Sequence, residues 1–105
     1  MAHNGSMLGL WLVRDRAGQM MLAKVQHEVY VLAFTAANRA SRAREAFGTD
    51  GAPFLVVAAN VRDVVDRARA DGAVGFIVDY DVELARFISA HPLPSGAPAT
   101  AALPR

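Results

Sequence analysis

Three carboxylates, Asp79, Asp81 and Glu83, fall at alternate positions directly after the apolar run Val74-Gly75-Phe76-Ile77-Val78. If that run is a strand of an α/β sheet, the acids stand at the edge where such sheets take ligands. Two or three of them could hold Mg²⁺ through oxygen, or one could accept a proton as a general base. A metal would want further ligands, and the neighbouring loops offer Asp50 and Asn60. The plainer reading is that Asp79 and Asp81 break the strand and cap the next helix. A second charged group, Arg39 and Arg42, lies one helical turn apart with Arg44 nearby. Guanidinium groups so spaced suit phosphate or an acidic partner protein. They equally suit a solvated helix face, partly paired with Glu45. His27 and His91 are far apart and at no metal-ligand spacing, which leaves them as surface histidines. Gly48 with Gly51, and Gly72 with Gly75, fit neither a phosphate loop nor a dinucleotide fingerprint, so ATP and dinucleotide chemistry is disfavoured.

These residues must be positioned by the stretch Glu28 to Asp81. There three apolar runs, Val29–Phe34, Pro53–Ala58 and Val74–Val78, alternate with two polar helical segments. Continuous apolar runs suit strands covered on both faces, so the stretch reads β-α-β-α-β. The first helix is expected from Thr35 as N-cap to Phe47, with Gly48 ending it and Ala36, Ala40, Ala43 and Phe47 as its buried stripe. Asn60 caps the second and Gly72 ends it. Val61, Val64, Val65 and Ala68 form the buried side, and Arg62–Asp66 and Asp63–Arg67 are the outward i,i+4 pairs. Upstream, Leu8–Arg14 and Met20–Val25 read as a hairpin about a turn at Gly18, leading into the third strand. Downstream, Val82, Leu84, Ala85, Phe87 and Ile88 give a helical period from Asp81 to Ala90.

The expected fold is therefore a single small α+β (α/β) domain of order β-β-β-α-β-α-β(-α). It has one mixed sheet of about five strands and two or three helices. Residues 1–7 read as a flexible arm or tag remnant, 8–90 as the domain, and 91–105 as a Pro/Ala-rich tail. The chain carries no cysteine, which excludes disulfides and thiolate chemistry. A net charge of +1 gives no field to attract nucleic acid or an anionic membrane. Ten of the eleven basic residues are Arg, which fits a GC-rich genome. With no long apolar run and no leader pattern at the N-terminus, a cytoplasmic protein is expected. Apolar residues reach 53%, and two helices leave part of a five-stranded sheet uncovered, so self-association is expected.

The run Trp11-Leu12-Val13-Arg14, the strand Val29–Phe34 stepping into Thr35, the helix ending Arg44-Glu45-Ala46-Phe47, and the closing Gly75-Phe76-Ile77-Val78-Asp79 resemble the N-terminal domain of SseB-like bacterial proteins. The likeness covers roughly Leu8 to Tyr80, and no second domain comes after it, unlike the longer members of that family. It implies a small, non-catalytic α/β domain and supplies no catalytic residues to transfer. The chain thus reads as a non-enzymatic interaction or regulatory module, homo-oligomeric or bound to another protein, without cofactor or metal. Its interaction or ligand edge comprises Arg39, Arg42, Asp79, Asp81 and Glu83. A small-molecule-binding or hydrolytic enzyme using Asp79 and Asp81 is the alternative. Nucleic-acid contact through the Arg39/Arg42 face is weaker still, for want of interleaved aromatics.

Overall fold

The computed structural model describes residues 6–81, 83–84 and 86–93. Six strands and two helices run in the order β1 (Trp11–Arg14), β2 (Leu22–Val25), β3 (Glu28–Ala33), α1 (Ala37–Phe47), β4 (Ala52–Leu55), α2 (Val61–Ala70), β5 (Ala73–Val78) and β6 (Ser89–Pro92). The fold is a single-domain α+β arrangement. Its strands form a sheet of four, ordered β2-β3-β5-β6, and a sheet of two, β1-β4. Backbone bridges join the two sheets. Where β2 gives way at Met21, β1 takes over beside β3, with Trp11 and Phe34 exchanging N–H···O bonds of 2.7 and 2.8 Å.

The pairing departs from the simple β-α-β-α-β order in one respect. β3 and β5 lie side by side and parallel, so the middle apolar run does not separate them. That run forms β4, which pairs antiparallel with β1 from Trp11↔Leu55 to Arg14↔Ala52. The expected hairpin between the first two strands forms but is short. Gly18 turns at φ 87°, and the amides of Asp15 and Met21 donate to Gln19 O and Val13 O about the Arg14↔Met20 bridge. β2 then pairs with β3. Pro53, lacking an N–H, is placed in a strand at the margin of its sheet, where a missing donor does least harm.

Alternation along β3 sends side chains to two cores. Val31 and Ala33 join Phe76 and Val78 beneath α2, which contributes Val64, Val65 and Ala68. Leu32 and Phe34 join Val13 and Ile77 beneath α1, which contributes Ala40 and Ala43. No polar or charged residue is buried among the described residues. Phe47, expected as the anchor of α1, remains 41% exposed, so the helix seats on its two alanines instead. Gly48 does end α1, in the left-handed region at φ 70°. Around α2 the expected ion pairs are replaced by Arg67–Asp71 at 3.5 Å. Asn60 precedes the helix but turns its side chain back to Val57 N and Leu55 O.

Among the described residues of Asp81–Ala90 the expected closing helix does not occur, and the chain instead makes a turn and a sixth strand. Asp81 Oδ1 accepts the amides of Glu83 and Leu84, which is how a helix would start. The backbone then doubles back through Asp81↔Arg86, and Ser89–Pro92 pair antiparallel with β5. A helix would have left the outer amides and carbonyls of β5 without strand partners. Filling that edge wins over a helical period in the side chains. Strand β6 runs two residues beyond the expected domain end at 90, and Leu93 packs against the α2-side core. Val82 and Ala85 of the expected helix, residues 1–5 of the arm, and the tail from 94 lie outside the described residues.

The β2–β3 turn is a two-residue connection, since Val25 pairs with Glu28. Gln26 and His27 occupy it with φ 51° and 75°, the combination for which Asn-Gly is the favoured pair. Replacing Gln26-His27 by Asn-Gly should raise stability by about 1 kcal/mol, mostly by removing the left-handed cost at His27. Urea unfolding followed by circular dichroism reads this directly, and an unchanged midpoint would show that the turn carries no such strain.

Candidate functional site

The carboxyl ends of the parallel pair β3 and β5 carry Phe34-Thr35 and Asp79-Tyr80. Asp79 leaves β5 in the left-handed region at φ 56°, a conformation Asp tolerates better than most residues. Its carboxylate turns across the sheet to Thr35. Thr35 donates its amide to Asp79 Oδ1 at 2.9 Å and its hydroxyl to Oδ2 at 2.7 Å. The expected cap of α1 by Thr35 does not form. Ala36 precedes the helix instead and has no side-chain oxygen to cap with, while the Thr35 hydroxyl is given to Asp79.

Asp79 of this clamp borders a groove of about 210 Å³ between α1 and the segment after β5. Arg39 and Arg42 supply the helical wall, with Asp79, Asp81 and Glu83 opposite and Phe34, Ala43, Ala46 and Tyr80 as the apolar floor. All five residues of the expected edge therefore border one cavity. Sequence reasoning missed the floor. Ala46 shares the helical period with Ala43 and Arg42, so the spacing on α1 could have found part of it.

The geometry narrows what these groups can do. Asp79 uses both oxygens on Thr35, and Asp81 Oδ1 holds the turn amides of Glu83 and Leu84. The two carboxylates offered for hydrolysis are thus already engaged, Asp79 by the amide and hydroxyl of Thr35 and Asp81 by turn amides. Among the described residues no three His, Asp or Glu side chains are grouped as metal ligands, so the Mg²⁺ reading of the acids finds no ligand set. Nor does an ion pair cross the groove, the described pairs being Arg16–Asp50, Arg44–Glu45 and Arg67–Asp71. A basic wall and an acidic wall face each other across open space.

Other sequence candidates lie elsewhere. Asp50 meets Arg16 at 3.7 Å, and Asn60 borders a separate cavity with Arg14, Asp63 and Arg67. His27 stands exposed in the β2–β3 turn. His91, expected as a surface residue of the tail, is half-buried on β6 and stacks on Phe76, with ring centroids 5.1 Å apart. Away from the groove, Tyr30 donates to Glu28 at 3.2 Å. Desolvation, then the Glu28 hydrogen bond and charge, raise the Tyr30 pKa above its ordinary 10.0.

No family model, curated protein or solved structure matches the chain. Among the described residues no helix is long and apolar enough to cross a membrane.

Proposed function

We propose that this domain is a non-enzymatic interaction module of the SseB-like kind, working in a bacterial cytoplasm, and that it self-associates. The observation carrying the reading is the segment between β5 and β6. Leu84, Phe87 and Ile88 are 60%, 39% and 71% exposed. Three large apolar side chains in five residues are the kind of surface that proteins cover with a partner. The marginal strands make poor alternatives for association. β2 carries exposed Lys24, β4 carries Pro53 and β6 carries Pro92, each a device that discourages strand addition. Association through side chains of the β5–β6 segment fits better, Ile88 and Leu84 being the two most exposed large apolar side chains among the described residues.

The order of elements through β5 agrees with the order that the SseB-like resemblance implies. The engagement of Asp79 and Asp81 with backbone amides weighs against the hydrolytic alternative. The acids facing Arg39 and Arg42 weigh against nucleic-acid contact.

Light scattering and sedimentation velocity at micromolar concentration should give the mass of a dimer. Ile88→Asp should raise its Kd about 30-fold, the effect of losing roughly 2 kcal/mol at an apolar contact. A strict monomer at these concentrations would sink the proposal.

A further inference from the structure

Resting on the self-association reading, we infer that the groove between α1 and the β5–β6 segment is the socket of a two-fold dimer, and that its occupant is Leu84 of a second copy. A two-fold interface uses one patch twice, so the patch must complement itself in shape and in charge. This one does both. Its concave part is the groove floored by Phe34, Ala43, Ala46 and Tyr80. Its apolar knob is Leu84, 60% exposed and next in sequence to Glu83 of the groove lining. The groove's 210 Å³ is enough for one large apolar side chain, given that a cavity of about 150 Å³ takes benzene.

The charges agree with that arrangement. Arg39 and Arg42 line one wall, and Glu83 on the rim lies on the other, with no ion pair between them among the described residues. When the rim of one copy enters the groove of the other, its Glu83 arrives beside the partner's arginines. The same contact is repeated by the symmetry, so two guanidinium–carboxylate pairs form per dimer, with the planar fork geometry that arginine favours.

The test uses the full chain and three variants built on exposed positions. In Arg39→Glu/Arg42→Glu the groove wall becomes acidic and should repel the partner's Glu83. In Glu83→Lys the rim becomes basic and should repel the arginines. Asp81 is left alone because its carboxylate holds the turn amides of Glu83 and Leu84. Each variant alone should dimerise at least about tenfold more weakly than the wild type. A mixture of the two should form a heterodimer tighter than either variant forms with itself, because one native pairing of arginines with Glu83 returns. Ala46→Phe fills the socket from an exposed position and should abolish the dimer while leaving the circular dichroism spectrum unchanged. A wild-type dimer that tolerates all three changes would overturn the socket and leave self-association standing. A heterodimer no tighter than the homodimers would also overturn it, and a wild-type monomer would overturn both.

Discussion

Gly75→Ala should be among the most damaging single-atom additions in the protein, costing about 2–3 kcal/mol and detaching strand β6. A Cβ at this position would lie 2.2 Å from the backbone carbonyl oxygen of His91, 3.1 Å from its carbonyl carbon and 3.1 Å from Tyr30 Cε2. The first contact is far inside van der Waals range and is made with backbone, so no rotamer change relieves it. Either β5 or β6 must move. β5 is held by β3 on its other side and buried along most of its length, whereas β6 is marginal and carries four residues. The strand with less to lose should yield. The loss is bounded by what β6 contributes: its ladder to β5, the Phe76–His91 stack and the packing of Leu93. Overpacking of this kind costs about 1–3 kcal/mol, and the backbone contact puts this case at the upper end. Hydrogen exchange should show Ile88 and the β6 amides losing protection while β2 and β3 keep theirs. If protection falls equally everywhere, β6 is part of the global unfolding unit and not a separable one.

The same strand marks the limit of what the sequence makes legible. β3, β5, α1 and α2 fall where apolar runs and helical stripes put them, because each buries its own pattern against a core made mostly of the others. The partner of β4 has no such signature. Pro53–Ala58 reads as an apolar strand whether it lies between β3 and β5 or beside β1, and only the register with Trp11–Arg14 decides. At the end of the chain the period misleads outright. Leu84, Phe87 and Ile88 sit at helical spacing, yet the unfilled edge of β5 draws Ser89–Pro92 into the sheet and leaves them outside. A local pattern competes there with a non-local pairing that it cannot see.

The candidate site divides along the same line. Arg39, Arg42, Asp79, Asp81 and Glu83 are recognisable from charge and from their place at the end of a strand, and the fold does bring them to one groove. What they do for one another is less visible. Thr35 and Asp79 are separated by 44 residues, and nothing in the sequence of either segment pairs them. Parallel pairing of β3 with β5 puts their carboxyl ends side by side, and that alignment alone makes the clamp. Phe34 and Tyr80 reach the groove floor for the same reason.

The clamp should be the larger stabilising contribution of the two charged groups at the groove, and the order of four variants isolates it. Asp79→Ala removes two hydrogen bonds to a charged acceptor, each worth about 1.5–3 kcal/mol when well buried. Both bonds here are solvent-exposed, so the expected loss is smaller, about 2 kcal/mol in total. Asp79→Asn keeps one bond to the Thr35 amide and can still donate to the hydroxyl oxygen, so it should lose about 1 kcal/mol. Asp79→Gly loses both bonds but sheds the cost of holding a side chain at φ 56°. That cost is about 1 kcal/mol, so the glycine variant should lose about 1 kcal/mol net, close to Asn and less than Ala. Thr35→Val removes the hydroxyl bond alone and costs about 1 kcal/mol on its own. In the Asp79→Ala background the same change should cost almost nothing, which gives a coupling of about 1 kcal/mol between the two positions. Denaturant unfolding of the four single variants and the double variant measures all of this. A glycine variant as stable as the wild type would mean that the left-handed turn, and not the hydrogen bonds, governs position 79. An intact clamp also fixes where α1 begins relative to the acidic rim. Asp79→Ala should therefore loosen the groove and weaken self-association along with the fold. Gly48→Ala, at the far end of the same helix, should lower stability and leave the dimer's Kd unchanged.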